Sequence, residues 1–405
     1  MNKSKFQPLN KAQRIVSMDL LRGVAVLGIL IMNIQNFSMP TAAYINPTAY
    51  GDLSGLNKWV WIISHLLACS KFMSIFSMLF GAGVLLFTQR AEQKGLNSAS
   101  LHYRRMGWLL LFGLMHGFLI WTGDILVTYS LCGMLLFLFR NKQPTTLLRI
   151  ALAFFIVPIL INLLFTWSIP YWPPDAVQST MESWMPGEQV VQHHLDVYRS
   201  GWIKQMELRI PGTIFMQTGL FFMGTFWRVM AMMLLGMALY KWQVLSAGRS
   251  SRFYTRMTLS GLVVGLVIST AGIFLNFKNQ WTMEYSMFIG VQFNYLGSVG
   301  TALGYMGLVM LISQSSRFKG CIKVLTAVGR MAFTNYILMT LLATYIFYGH
   351  GLGLYGSVER TYQVLICLGI WIPLLIISPL WLKRFRFGPL ERLWRGLTYW
   401  SWKKS

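Results

Sequence analysis

The chain has 405 residues, 55% of them hydrophobic and only 12% charged, which excludes a soluble domain that must clothe its surface in polar side chains. Its formal charge of +23 is carried in short clusters between apolar runs, so the basic residues face lipid headgroups, and no soluble basic domain is left to bind nucleic acid. Cys69, Cys132, Cys321 and Cys367 all sit inside apolar runs without ligand spacing, which argues against a disulfide framework or a metal site.

Lys3, Lys5, Lys11 and Arg14 precede the first apolar window, as in a signal peptide. That window carries Arg22 and Asn33 and lacks a small-residue cleavage site, so it is expected to stay as the first helix. Spanning windows are expected at about 20–37, 60–87, 106–121, 125–139, 147–167, 214–240, 257–277, 287–312, 324–348 and 362–382. The third and fourth are short and closely joined, which suggests a helical hairpin. Alternate threading gathers Arg90, Lys94, Arg104, Arg105, Arg140, Lys142, Arg149, Lys241, Arg249, Arg252, Arg256, Arg317, Lys319 and Lys323 on the side of the N-terminus. The other side keeps Lys58, Arg199, Lys204, Arg209, Lys278 and Arg360. This asymmetry puts both termini in the cytoplasm. The expectation is an all-α, polytopic transmembrane bundle of about ten spans in a bacterial inner membrane. One domain covers 1–405, with 168–211 as a periplasmic loop or cap and 383–405 as a basic cytoplasmic tail. Segments 78–83 and 233–238 echo each other in small residues, which reads first as close helix packing and second as an internal repeat.

An ionisable side chain within a span costs roughly 2.5 to 3.5 kcal/mol on insertion scales and so needs a partner or a wet cavity. Asp19 and Arg22 are three apart and can pair, and Asn33 falls on the same face of the first helix. The segment 116–126 brings His116 and Asp124 to one end of the tight hairpin, where the carboxylate can orient the imidazole as a general base or simply cap the next helix. His65 and Lys71 form a second titratable pair in the outer half of the second span, from which either could snorkel. Arg228 lies too deep to snorkel and is expected to line a cavity or meet a carboxylate. Arg330 opens the ninth window beside Thr334, Asn335 and Tyr336, with Arg330 and Thr334 on one helical face. His102, His193, His194 and His350 are assigned to loops. No phosphate-binding GxxxxGK[ST] loop, HExxH helix or GxSxG elbow is present.

Five segments, 17–33, 76–83, 116–124, 329–336 and 388–395, run in order through nearly the whole chain, and on them the sequence resembles the YeiB family of bacterial inner-membrane proteins, which carry a domain of unknown function. That family is similar to membrane acyltransferases that modify O-antigens, glucans and heparan glucosaminides, whose first helix opens on a comparable Asp-x-x-Arg-Gly segment. The resemblance implies a site role for Asp19, Arg22 and Gly23. The catalytic histidine of those enzymes finds only a loose positional match in His65, and His116 belongs to the YeiB pattern instead.

Together these residues and the resemblance imply a transmembrane acyl transfer. An acyl-CoA-like donor, a substrate and not a tightly held cofactor, enters from the cytoplasm, and an envelope glycan or lipid headgroup accepts. Arg22 and Arg330, with Arg105 or Lys323, are expected to hold donor phosphates. His116, oriented by Asp124, removes the acceptor's proton, and Asn33, Asn335 or Tyr336 steadies the oxyanion, with no metal required. The runner-up is a transporter of a small anionic solute, with Arg22, Arg228 and Arg330 lining the route and His116 and Asp124 relaying protons. A third, non-catalytic reading has the polar stripe only fixing helix contacts within an envelope protein. The partner common to all three is the lipid bilayer; the oligomeric state is not legible.

Overall fold

The computed structural model describes residues 15–315 and 317–400 and is helical, without a strand among the described residues. The basic residues ahead of position 15 and the end of the tail, 401–405, lie outside the described residues.

The chain opens with α1 (Val16–Ser38), a short α2 (Thr41–Ile45), α3 (Gly55–Leu67) and α4 (Lys71–Gln93). α5 (Ser98–Leu119) and α6 (Leu126–Leu136) pack side by side as the expected hairpin, and α7 (Pro144–Ser168) follows. The segment read as a cap is itself helical, with α8 (Pro174–Trp184), α9 (Glu188–Tyr198) and the start of α10 (Met206–Gln217). A π-helical stretch, Phe221–Thr225, leads into α11 (Phe226–Lys241), which is followed by α12 (Ser251–Lys278) and α13 (Val291–Gln314). α14 (Lys319–Arg330) and α15 (Ala332–Phe347) precede α16 (Arg360–Arg384) and a final amphipathic helix, α17 (Pro389–Tyr399).

Among the described residues, seven stretches are long and apolar enough to cross a bilayer, or eight if the bent pair α14–α15 counts as one span. Of the ten windows expected, 106–121 falls in α5, whose first turns carry His102, Arg104 and Arg105, and 125–139 coincides with a helical stretch that is short for a span. Large apolar side chains such as Ile156 on α7, Val263 on α12 and Leu365 on α16 are exposed, the outer face expected of a protein that sits in lipid.

Two backbone-to-backbone contacts set the frame. A β-carbon on Gly23 of α1 would overlap the Leu325 carbonyl of α14, and one on Gly329 would overlap the Asp19 carbonyl, so glycine at both places lets these helices touch. The same reciprocity joins α4 and α11, where Gly81 faces the Met233 carbonyl and Gly236 faces the Met78 carbonyl. The two segments that echo each other in sequence are thus one another's packing partners.

α14 and α15 do not continue as one rod. Met331, at φ −109° and ψ 28°, breaks them at an angle of 81°. Arg330 and Thr334 consequently do not share a helical face, because the (i, i+4) relation holds only along an unbroken helix. His102 lies buried in α5, and His193 and His194 lie in α9, so of the four histidines assigned to loops only His350 is in one.

Candidate functional site

One cavity of about 450 Å³ runs through the bundle beside α1, α4 and α5. At one end it is lined by Arg22 from α1, Arg105 from α5, Arg330 from α14, and Glu391 and Trp394 from α17. Its middle is apolar, with Val26, Ile29, Phe76, Leu79, Val84 and Leu109. At the far end stand Asn33, Tyr44, Ser70, Trp121, Asp124 and Tyr336. Between Arg105 and the last residue of α5, next to Trp121, the helical rise amounts to about 21 Å. The cavity therefore has Arg22, Arg105, Arg330 and Glu391 toward one end, an apolar middle, and Asp124 toward the other.

The far end is built on the α5–α6 turn. Asp124 is 4% exposed, and its Oδ2 accepts from the Val127 amide at 2.8 Å, capping α6. Its Oδ1 lies 2.8 Å from His116 Nδ1. Capping and orienting, two alternatives on the sequence alone, are carried by the two oxygens of one carboxylate. The other ring nitrogen, Nε2, is 3.2 Å from Thr340 Oγ1, which itself reaches the Tyr336 carbonyl at 3.2 Å. His116 thus sits behind Asp124, with both nitrogens occupied, and it is Asp124 that borders the cavity.

Two other groups in this wall have polar atoms to spare. Trp121 Nε1 is buried with no hydrogen-bond partner, and Tyr336 Oη, beside the Ile125 amide, makes no hydrogen bond of good geometry. The Trp121 ring is held flat against Phe37, with centroids 4.0 Å apart, and lies over Gly123, where a β-carbon would strike it. The Tyr336 ring packs against His116 at 5.1 Å. Both residues share the cavity lining with Asp124, and a buried donor left without an acceptor is costly.

The arginine end is built on the break at Met331. The first amides of α15 are capped from α17: Glu391 Oε1 accepts from Phe333 N at 2.8 Å and Thr334 N at 3.1 Å, and Oε2 accepts from Thr334 Oγ1 at 2.6 Å. Arg105 is stacked on Trp394, 3.7 Å from the ring centroid, and also faces Phe87 at 5.0 Å. Arg330 donates to the Arg386 carbonyl at 3.1 Å, and Arg22 pairs with Asp19 at 2.7 Å as the spacing implied.

Of the residues singled out in the sequence, Arg22, Asn33, Asp124, Arg330 and Tyr336 line this one cavity, with His116 behind Asp124 and Asp19 beside Arg22. Thr334 belongs to the α17 contact. Asn335 donates to the Val328 carbonyl and to Ser378 Oγ, both at 3.0 Å, and ties helices together away from the cavity.

His65, Lys71 and Arg228 lie apart. Lys71 is fully buried and donates to the His65 carbonyl at 2.9 Å and to Asn294 Oδ1 at 2.6 Å, while the His65 ring stacks on Trp61. Arg228 donates to Ser298 Oγ at 2.7 Å, Ser74 Oγ at 3.0 Å and the Tyr295 carbonyl at 3.2 Å, over the Tyr295 ring. Neither Lys71 nor Arg228 snorkels, and Arg228 meets neutral acceptors where a cavity or a carboxylate was expected. Trp121 and Thr340 were missed in the sequence: a tryptophan near a membrane boundary and a threonine in an apolar helix are ordinary, and only their approach to Asp124 and His116 distinguishes them.

Residues 239–401 match the family model described as "Protein of unknown function (DUF418)". The chain is 34% identical to the uncharacterized protein YxaH of Bacillus subtilis (strain 168), over 99% of this chain and 98% of that one. It is 32% identical to the uncharacterized protein YeiB of Escherichia coli (strain K12), over 95% and 96% of the two chains. An uncharacterized 39.9 kDa protein in the amylase 3' region of Bacillus acidopullulyticus is 25% identical over 97% and 96%. No solved structure matches the chain.

Proposed function

The chain belongs to the DUF418 family together with YeiB and YxaH, and within that family we propose that it is an inner-membrane acyltransferase whose donor lies along the cavity. The observation that carries this reading is the joining of Arg22, Arg105 and Arg330 to Asp124 by one apolar passage. A linear carrier with an anionic head and a flexible, largely apolar arm, such as an acyl-CoA, matches that distribution of charge. Its phosphates meet the arginines on the cytoplasmic side, where guanidinium groups make short, charge-assisted hydrogen bonds. Its arm runs along Ile29, Phe76 and Leu79, and the acyl carbon comes to the Asp124 end.

There the Asp124 carboxylate takes the proton of an acceptor hydroxyl or amine on an envelope glycan or lipid. The new C–O or C–N bond forms as the C–S bond breaks, and the thiolate leaves and is protonated. Trp121 Nε1 and Tyr336 Oη supply donors for the carbonyl oxygen as it gains charge, the kind of preorganised contact that stabilises acyl-transfer transition states. His116 is a positioning residue in this scheme: held between Thr340 and Asp124, it fixes the carboxylate and shares its proton.

The test is donor consumption by the purified protein in nanodiscs, followed by release of free thiol from acyl-CoA of varied chain length, with and without extracted envelope lipids and glycans. Turnover that disappears in Asp124→Asn supports the reading. Passage of a small anion into sealed proteoliposomes with no donor consumed would replace it with the transporter reading, which the arginine-lined mouth also accommodates.

A further inference from the structure

α1 displays the cavity's whole change of polarity on one face. Arg22, Val26, Ile29, Asn33 and Asn36 follow one another at intervals of three and four residues, and all of them line the cavity. The cation stands at the arginine end, the aliphatic side chains in the middle, and the two carboxamides toward the end that holds Asp124. Neither carboxamide is tied to the protein: among the described residues Asn33 and Asn36 make no side-chain hydrogen bond, and neither does the Tyr44 hydroxyl, which also lines this end. None of their polar atoms is shut away in packed side chains, so they face the open space of the cavity. Ser70, ahead of α4, joins them from a left-handed backbone conformation, φ 63°, which is costly for a residue with a β-carbon. Among the described residues its hydroxyl meets only the Cys69 sulfur, at 4.0 Å. Polar side chains within a membrane bundle are answered either by neighbouring helices or by what enters a cavity, and these four are left to the cavity.

The chemistry of the four groups selects what enters. A carboxamide and a hydroxyl each both donate and accept, and a ligand hydroxyl answers them in both directions. An anionic head only accepts, and it would stand beside Asp124 with no cation in the lining at this end. Lys71, next to Ser70 in sequence, does not supply one, because it is spent on the His65 carbonyl and Asn294. An ammonium head only donates and leaves the amide N–H groups bare. We propose that Asn33, Asn36, Tyr44 and Ser70 form a subsite for an uncharged head rich in hydroxyl groups, a sugar or a glycerol, at the Asp124 end of the cavity. The inference rests on the proposed function for calling this head the acceptor, but its binding requires no acyl to be transferred.

Binding in nanodiscs, with submicellar probes and no donor present, tests it. Octyl β-glucoside and 1-octylglycerol carry the two hydroxylated heads, and octyl phosphate and octylammonium carry the charged ones on the same octyl chain. Asn33→Leu and Asn36→Leu, which keep the size and remove the amide, are each expected to weaken octyl glucoside about tenfold, and Tyr44→Phe about threefold, as lost hydrogen bonds do. The two charged probes should stay within about twofold of wild type in all three variants. No bond within the protein is lost, so the thermal midpoint without a probe should hold or rise. Tyr44→Phe decides the matter should either leucine variant fold poorly. Weakening of both hydroxylated probes assigns the subsite to polyols at large, and weakening of the glucoside alone assigns it to sugars. Unchanged glucoside affinity in the folded variants, or equal weakening of the charged probes, would overturn the proposal. Selective loss of glucoside binding in a protein that releases no thiol from acyl-CoA would sink the acyltransferase reading and leave the subsite in place.

Discussion

His116 and Asp124 are eight residues apart in sequence and 2.8 Å apart in space, one at the end of α5 and the other at the start of α6. Both are almost completely buried, at 1% and 4% exposure. Removing one partner leaves a buried polar group unsatisfied, which costs about 1 to 3 kcal/mol and more for a charged one. Asp124→Ala also removes the cap on Val127, so it is expected to lower the thermal midpoint more than His116→Phe does. Acyl transfer should fall by about 10²- to 10⁴-fold in Asp124→Asn, the usual worth of a general base. Normal turnover in that variant would remove Asp124 from the chemistry.

Trp121→Phe and Tyr336→Phe delete the unpartnered donors while keeping the rings. Because no bond within the protein is lost, stability should hold or rise. If the donors serve the carbonyl oxygen, kcat should fall by about 10²-fold for each, with KM little changed. A stabilised variant with full kcat would show instead that these atoms are merely buried.

Arg228 tests the division of the polar residues into two groups. Its acceptors are Ser74, Ser298 and the Tyr295 carbonyl, all neutral and all away from the cavity. Arg228→Ala is expected to lower the thermal midpoint by leaving those acceptors bare, with thiol release from acyl-CoA within about twofold of wild type in the variant that stays folded. Abolished solute flux in a variant that stays folded would favour the transporter reading.

Glu391 supplies a pH signature. Burial, working against the donors Thr334 and Phe333, holds its carboxyl above the ordinary 4.5. The folded protein then binds this proton more tightly than the unfolded chain does. Its contribution is present in full below the ordinary carboxylate pKa and is lost as pH rises through the raised one. Relative to Glu391→Gln, wild type should therefore gain thermal stability on going from pH 8 to pH 5. A constant difference between the two proteins across that range would contradict the assignment.

Gly329→Val is expected to be among the most disruptive single changes. The new side chain would collide with the Asp19 carbonyl, forcing α1 and α14 apart at the point that holds Arg22 near Arg330. Overpacking of this kind costs typically about 1 to 3 kcal/mol. Thermal unfolding should register it, and thiol release from acyl-CoA should fall in parallel.

Much of this was open to reading in the chain. Apolar windows gave most of the helices, because hydropathy over about 20 residues depends only on local composition. The Asp19–Arg22 pair followed from helical spacing, and the meeting of His116 with Asp124 followed from a turn too short to separate them. Other features depend on contacts far along the chain. The break at Met331 is stabilised by Glu391, which lies 58 residues beyond Phe333, so the run 324–348 looks like one continuous span until the carboxylate's destination is known. Arg228 shows the opposite difficulty. A deep cation reads as functional because its cost is visible in sequence, whereas the serines that answer it, Ser74 and Ser298, look like small packing residues.

The reciprocal glycine contacts carry a mechanical consequence. With α1 welded to α14 and α4 welded to α11 at the level of the main chain, neither couple has slack to flex internally. Any breathing that admits a guest must come from one couple parting from the other, or from lighter pieces swinging clear. The sturdiest walls of the passage are therefore also its least adjustable, and what fits between them was fixed when the helices first met.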